Sequence, residues 1–320
     1  MPRPRKRYRY RLRRLTPVGF IVLVAAVAGA LVGAHQNAAP AAALAAGPAV
    51  VHVAPAVQKT IRREQLLSDA TLLRHTFAPA LLGKAAILVD TKTGRVLWGL
   101  HPHERRQVAS TTKIMTALLA LRKLGPHDIV TVDKSVPRVP LVREGLRAGE
   151  KVQAWKLFYA LLLYSGNDDA LALAIAAGGT KWHFVHQMNV EARILGLHDT
   201  HFVSPSGVVD VDNYSSAWDL AALTRVALRN PRFRQIVRTP RKEVAWSAPT
   251  FSKIYVNNNR LLTTYQGANG VKTGYTHKAG PCLVASATRG GVQLLAVVLD
   301  SPDMYSDAKR LLDFGFRSLG

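Results

Sequence analysis

The chain has 320 residues, 48% of them hydrophobic, which is enough to bury the core of one large domain or two small ones. Its 43 Lys and Arg residues outnumber its 20 Asp and Glu residues, and part of this excess lies in the acid-free N-terminal run MPRPRKRYRYRLRR. The single cysteine, Cys282, excludes an intrachain disulfide, and no nucleic-acid motif accompanies the positive charge.

The basic run is followed by an apolar segment, PVGFIVLVAAVAGALVGA at 17–34, which carries no charge and is about long enough to cross a bilayer. This order predicts that the N-terminus stays in the cytoplasm and the rest is exported. Two interpretations remain open. Val32 and Ala34 fit the cleavage pattern of a signal peptide, whereas the length of the segment fits an uncleaved anchor. We therefore expect an extracytoplasmic protein, tethered to the cell membrane or secreted after cleavage.

The Ala- and Pro-rich residues 35–58 predict an extended spacer, which is useful mainly to a tethered domain and favours the anchor. A helix is predicted over 60–75. For an exported chain, an anionic membrane surface or anionic wall polymers are better partners for the positive charge than nucleic acid. The chain divides into a basic cytoplasmic tail (1–16), the anchor or signal peptide (17–34), the spacer with its leading helix (35–78) and a main domain (79–320).

The main domain opens with a predicted β-hairpin formed by AAILVD and RVLWGL. Its turn contains the tripeptide Lys92-Thr93-Gly94, in which Gly94 would supply a positive φ and Asp90 would cap the loop. The tripeptide therefore needs no functional explanation at this position.

The remaining elements predict an α/β fold. Three late strands, GVKTGYT, CLVASAT and VQLLAVVLD, are joined by tight turns and should pair antiparallel. With the early hairpin they predict one five-stranded antiparallel sheet built from both ends of the domain, flanked by helices and with a helical lobe inserted between its halves. Helices are predicted over 110–124, 154–178, 180–196, 216–229 and 303–317.

Ser110 and Lys113 form a Ser-x-x-Lys motif whose side chains lie one turn apart on the same face of an apolar helix. Burial and the positive helix N-terminus should lower the pKa of the lysine, and a neutral lysine can take the proton of a serine hydroxyl. The alternative is an N-cap serine beside a solvated lysine. The motif alone is weak, because it recurs at Ser306 and Lys309.

Ser165, Gly166 and Asn167 interrupt a strongly apolar helical stretch. A serine there can relay a proton, and an asparagine amide can hold a substrate carbonyl. The alternative is a junction between two helices, in which Asn167 and the two aspartates after it cap the second helix.

A second Lys-Thr-Gly, Lys272-Thr273-Gly274, lies inside a predicted strand that follows Gly270. The glycine allows a ligand to approach the backbone, and the lysine and threonine could bind a carboxylate. The alternative is an ordinary edge strand.

Taken together, the three motifs are much more specific than each alone. Ser-x-x-Lys, Ser-x-Asn and Lys-Thr-Gly, in this order on helix, loop and strand, are the signature of penicillin-binding proteins and class A β-lactamases. The stretches AAILVDTKTGRVLWGLHPHERRQVASTTKIMTALLAL and GVKTGYTHKAGPCLVASATRGG resemble the D-alanyl-D-alanine carboxypeptidases of the low-molecular-mass penicillin-binding type. FVSPSGVVDVDNYSSAWDLAAL resembles the stretch that this family carries between its second and third motifs. The resemblance implies the penicillin-recognising serine hydrolase fold.

The resemblance also implies an activity for the domain at 79–320, namely removal of the terminal D-alanine from peptidoglycan stem peptides. The reaction passes through an acyl-enzyme, is inhibited covalently by β-lactam antibiotics, and requires no cofactor or metal. The implied roles are those of nucleophile for Ser110, base for Lys113, proton relay for Ser165, substrate-amide contact for Asn167, and carboxylate binding for Lys272 and Thr273.

The backbone N–H groups of Ser110 and Tyr275 resemble the oxyanion hole of the family. Tyr275 follows Gly274 where relatives carry histidine, so the resemblance supports a backbone role at this position and leaves a side-chain role open.

Two other functions compete with this interpretation. A class A β-lactamase needs a glutamate that directs the deacylating water. The glutamates after Asn167 are Glu191, within a helical pattern, and Glu243, among basic strand-like residues, and neither lies in a loop at the expected place. The second alternative is a penicillin-sensing or wall-binding receptor that is acylated and does not turn over.

Overall fold

The structure is a computed structural model that describes residues 66–68, 79–208, 212–246 and 252–319. In chain order its strands are β1 (Ala85–Asp90), β2 (Val96–Leu100), β3 (Ile129–Thr131), β4 (Lys151–Gln153), β5 (Arg241–Val244), β6 (Lys253–Val256), β7 (Ala268–Thr276), β8 (Gly280–Arg289) and β9 (Val292–Leu299). Its α-helices are α1 (Lys113–Lys123), α2 (Ala154–Tyr159), α3 (Asn167–Gly178), α4 (Lys181–Ile194), α5 (Ala217–Ala227), α6 (Pro231–Val237), α7 (Leu261–Thr264) and α8 (Met304–Leu319).

The predicted antiparallel sheet is confirmed within the described ranges: five strands lie in the order β2-β1-β9-β8-β7. Ala85 of β1 lies opposite Leu299 of β9, so the first strand of the domain pairs with the last. β1 has no polar alternation because both of its faces are buried. Ile87 packs towards the helical lobe, whereas Leu88 packs against the face that α8 covers.

The C-terminal helix α8 fits closely on the outer face of the sheet. A Cβ on Gly315 would lie 2.6 Å from Leu294, so only glycine allows this approach. Asp307, fully buried at the start of α8, accepts hydrogen bonds from the N–H groups of Leu82 (3.0 Å) and Gly83 (2.8 Å) just before β1. The two ends of the domain are therefore joined by packing and by a buried carboxylate.

The prediction that the first Lys-Thr-Gly forms the turn between β1 and β2 is confirmed. Gly94 has a φ of 79°. The Asp90 carboxylate accepts from the Lys92 N–H at 2.9 Å and from the Thr93 hydroxyl at 2.9 Å. This local capping accounts for the tripeptide at 92–94.

The predicted helices are present, with differences at two places that matter for the site. The helix expected from 110 begins with a 3₁₀ turn, Ala109–Thr112, and becomes α-helical at Lys113. The stretch expected at 154–178 is split, because a π turn at Ala160–Tyr164 ends in a left-handed residue, Ser165, before α3 starts.

Three expectations need correction or lie beyond the described residues. The helix predicted over 60–75 is wrong at 66–68, where Ser68 forms a parallel β-bridge with Arg95. The small sheets β3-β4 and β5-β6 were not predicted, because strands of three or four residues carry too little periodicity. The segments at 1–16, 17–34 and 35–58 lie outside the described residues, and among the described ones no helix is long and apolar enough to span a membrane.

Candidate active site

The Ser110 segment is held in an unusual backbone conformation between β7 and the 204–207 loop. Ala109 has a φ of 46°, which is rare for a residue with a side chain. Behind it, Gly207 packs so closely that a Cβ would lie 2.2 Å from the carbonyl oxygen of Ala109. Ser110 itself is largely buried, at 7% exposure. The turn is therefore fixed by its surroundings.

Lys113 is fully buried, and its Nζ has three partners. It lies 2.8 Å from Ser110 Oγ, 2.9 Å from Asn167 Oδ1 and 3.1 Å from the carbonyl oxygen of Ser206. The last two are acceptors only, so they take two N–H bonds. In a neutral amine the lone pair is then left facing the Ser110 hydroxyl, which is the arrangement that proton abstraction needs.

The electrostatic environment favours this neutral amine. Burial lowers the pKa of Lys113 well below its usual range, and the charge of Lys272 lowers it further, against smaller opposing effects of Asp169 and Asp168. Burial alone lowers the pKa of Lys272 to about 7. The repulsion between the two amines is mutual, so the site disfavours the state in which both lysines are charged.

The junction between the π turn and α3 connects the two lysines. Ser165 has a φ of 75°, and its Oγ lies 3.0 Å from Lys272 Nζ. Two residues later, Asn167 Oδ1 accepts from Lys113. A regular helix would place these two side chains on different faces, so the break at Ser165 allows both to face the site.

β7 is the outer strand of the described sheet, and it passes against the Ser110 turn. A Cβ on Gly274 would lie 2.9 Å from the carbonyl oxygen of Val108 and 3.0 Å from the N atom of Ser110. Thr273 is half-buried beside Lys272, and Tyr275 is 59% exposed at the mouth of the site. The glycine therefore permits the N–H side of Ser110 to approach the strand.

The structure brings the predicted residues together in two hydrogen-bonded groups, Ser110–Lys113–Asn167 and Ser165–Lys272, which are adjacent at the junction before α3. Gly274 packs against the Ser110 turn. The second Ser-x-x-Lys lies elsewhere, on α8, where the Ser306 N–H is bound by the Asp303 carboxylate. Glu191, on α4, forms an ion pair with Arg122 at 2.9 Å, and Glu243 lies on β5.

Sequence reasoning missed several groups that complete the cluster. The Ser206 carbonyl and Gly207 belong to the SPSG segment, which the family resemblance marked without giving it a role. The loop at 139–146 gave no signal, yet Asn167 binds the carbonyl oxygens of Val142 (2.8 Å, from its N–H) and Pro140 (3.3 Å, from its side chain). Backbone carbonyls carry no residue signature, so spacing could not reveal them.

Two adjacent aspartates at the start of α3 differ in their hydrogen bonding and in their electrostatic environment. Asp168 accepts hydrogen bonds from the N–H groups of Glu144 (2.8 Å), Gly145 (2.8 Å) and Leu146 (3.2 Å), and so holds the 139–146 loop. Asp169 is buried against Gly166, where a Cβ would lie 1.9 Å from its Oδ2. Burial and the neighbouring carboxylates of Asp168 and Glu144 raise the pKa of Asp169 well above its usual range.

Comparisons with known proteins identify the family to which the chain is similar. A family model described as D-alanyl-D-alanine carboxypeptidase matches residues 74–303. The D-alanyl-D-alanine carboxypeptidase DacF of Bacillus subtilis (strain 168) is 35% identical over 242 residues, which cover 73% of this chain and 62% of that protein. The D-alanyl-D-alanine carboxypeptidase of Streptomyces sp. (strain K15) is 36% identical over 261 residues, which cover 74% of this chain and 88% of that protein.

A solved structure confirms the predicted fold class. The crystal structure of the Streptomyces K15 DD-transpeptidase superposes with a TM-score of 0.72 at 35% identity, covering 76% of this chain and 100% of that one. The chain thus spans less than two thirds of the Bacillus relative and the whole of this solved neighbour. Since the family model covers more than half of its residues, the chain belongs to the D-alanyl-D-alanine carboxypeptidase family.

Proposed function

We propose that the chain is a serine-type D-Ala-D-Ala carboxypeptidase that removes the terminal D-alanine from peptidoglycan stem peptides. The observation that carries this proposal is the position of Lys113 Nζ, which lies 2.8 Å from Ser110 Oγ and within hydrogen-bond distance of two pure acceptors, Asn167 Oδ1 and the Ser206 carbonyl oxygen. A neutral amine that donates to both acceptors would direct its lone pair at Ser110. Membership of the family supports the same reaction.

In the first step Lys113 takes the proton of Ser110, and Oγ forms an ester bond with the carbonyl carbon of the penultimate D-alanine. The C–N bond breaks, and the amine of the terminal D-alanine leaves with a proton relayed through Ser165. Water then hydrolyses the ester. The backbone N–H groups of Ser110 and Tyr275 stabilise the oxyanion. The absence of a side chain at Gly274 supports this role, because it lets β7 approach the N atom of Ser110 closely.

Substrate binding follows from the outer position of β7 and the two lysines. An extended peptide can lie along this strand, with its terminal carboxylate at Lys272 and Thr273 and its donor amide at Asn167. Lys272 with a pKa of about 7 is partly charged at neutral pH, and an arriving carboxylate stabilises its charged form. β-Lactams, which mimic this peptide end, would acylate Ser110.

The two alternative functions are less well supported. The ion pair of Glu191 with Arg122 engages it away from Ser110, and Glu243 lies on a short strand, so neither supplies the water-directing group of a class A β-lactamase. A receptor that does not turn over differs only in deacylation. The Streptomyces K15 relatives are named as a carboxypeptidase and as a DD-transpeptidase, two activities that differ in whether water or an amine accepts the acyl group.

We further propose that the catalytic domain, placed at 79–320, works outside the cytoplasm and is tethered by 17–34. The support is the uncharged apolar sequence after a basic run, together with a substrate that lies outside the membrane. The net charge of +23 suits an anionic membrane surface or wall polymer.

Ser110→Ala should abolish both the covalent benzylpenicillin adduct and D-alanine release from an acyl-D-Ala-D-Ala peptide, because it removes the attacking oxygen. Mass spectrometry and a D-alanine assay measure the two effects. Ser306→Ala, in the second Ser-x-x-Lys, is the matched control and should retain both. An adduct that persists on Ser110→Ala would move the nucleophile elsewhere. An adduct on the unmodified chain without D-alanine release would favour the receptor.

Lys113→Arg should slow acylation by at least about a hundredfold, because a guanidinium stays protonated and cannot act as the base. In the unmodified chain the rate should fall as the pH drops below the lowered pKa of Lys113, since the active form is deprotonated. Stopped-flow acylation across pH measures both effects, with Lys309→Arg as the control. Near-normal acylation of the folded arginine variant would contradict the assignment.

Gly274→Ala should slow acylation by about a hundredfold or more, since its methyl group would press on Val108 and on the N atom of Ser110 and displace an oxyanion donor. Gly99→Ala, on β2, is the matched strand control, because its methyl group meets only the Pro102 ring at 3.3 Å. Acylation rates similar in the two variants would show that the close approach at β7 does not matter.

An uncleaved anchor at 17–34 should leave the full-length chain in the membrane fraction, resistant to washing with salt, because the apolar segment stays in the bilayer. Fractionation and N-terminal sequencing test this. A mature N-terminus at or after His35, with activity in the soluble fraction, would show instead a cleaved signal peptide and would leave the catalytic proposal intact.

A further inference from the structure

Leu141 lies in the 139–146 loop in a conformation that is unfavourable for the free protein in two ways. Its φ is 68°, a left-handed value that a leucine adopts at a steric cost. Its side chain is also 64% exposed, and the next residue, Val142, is 46% exposed. Strained backbone of this kind persists only where the surroundings impose it, and it is concentrated at functional sites.

The surroundings that impose it belong to the candidate active site. The carbonyl oxygens on either side of Leu141, those of Pro140 and Val142, are both bound by Asn167, whose Oδ1 also binds Lys113. One side chain therefore separates the loop from the base of the proposed reaction. The placement of Leu141 is coupled directly to the placement of Lys113.

The rest of the 139–146 loop is fixed by residues other than Asn167. Asp168 binds the N–H groups of Gly145 and Leu146, and Lys253 of β6 binds the Glu144 carbonyl oxygen at 2.5 Å and forms an ion pair with its carboxylate. The loop is thus tied to α3 and to β6. The exposed aliphatic side chain of Leu141 is therefore held in a defined position, as a binding residue would be.

We propose that Leu141 and Val142 form an apolar subsite for an aliphatic group on the acyl-donor side of the substrate. This inference rests on the proposed function. The leaving D-alanine and its carboxylate are assigned to the β7 wall, at Lys272 and Thr273. Asn167, to which the donor amide is assigned, binds this loop directly, so the part of the donor that precedes the scissile bond would lie beside the loop. An aliphatic chain there would cover the exposed leucine on binding.

The experiment compares two peptides that end in D-Ala-D-Ala and differ in the residue before it, either a long aliphatic side chain or glycine. Leu141→Asn and Leu141→Gly both accept the left-handed backbone, so they remove the apolar surface without new strain. Ile129→Asn is the matched control, because Ile129 is an aliphatic residue 57% exposed on β3. Thermal unfolding checks that each variant is folded.

We expect the ratio of kcat/KM for the aliphatic donor to that for the glycine donor to fall about tenfold in both Leu141 variants, mainly through KM. It should stay at its original value in Ile129→Asn. An unchanged ratio in the Leu141 variants, with normal D-alanine release, would overturn this inference alone. No D-alanine release by the unmodified chain would overturn the proposed function and the subsite with it.

The same variants distinguish substrate binding at Leu141 and Val142 from binding of these two residues to a lipid surface. Vesicles of phosphatidylglycerol and phosphatidylcholine provide the probe, with binding measured by co-sedimentation. If Leu141→Asn lost vesicle binding while the ratio of kcat/KM for the two donors stayed unchanged, Leu141 and Val142 would be assigned to membrane contact. This result would overturn the subsite.

Discussion

Burial of the Lys113 amine is the constraint on which the site and much of the helical lobe depend. An amine that water cannot reach must find its partners within the protein, and Lys113 takes them from three separate segments: its own turn at Ser110, the start of α3 at Asn167, and the loop at Ser206. Satisfying this one group therefore fixes α1, α3 and the 204–207 loop relative to each other. The reactive geometry and the packing of the lobe are the same set of contacts.

Backbone strain is concentrated around this amine. Among the described non-glycine residues with positive φ, Ala109 precedes the proposed nucleophile, Ser165 ends the π turn, and Leu141 lies in the loop that Asn167 holds. Each such residue costs on the order of 1–3 kcal/mol, which the surrounding contacts must offset. Gly207 and Gly274 contribute by letting neighbouring backbone approach without a side chain in between. The contacts around the site therefore impose these backbone conformations.

Elements with a local cause could be predicted from the sequence, whereas those set by distant contacts could not. Asp90 and Gly94 specify their turn directly, and the tight turns between apolar runs specify the five-stranded sheet. Motif spacing predicted which side chains would be near each other. It could not show that the π turn would turn Ser165 towards Lys272, because tertiary packing imposes this break. The carbonyl groups of Ser206, Pro140 and Val142 were equally invisible, since every residue carries one.

Pairing of β1 with β9 also sets the order of events when the chain is made. β1 is synthesised before the helical lobe, whereas its partner β9 is the last strand of the described residues and is synthesised after the lobe. Until β9 has been synthesised, this edge of β1 lacks its native partner, and pairing between strands so distant in sequence forms slowly. The five-stranded sheet therefore cannot be completed until the chain has been synthesised through β9.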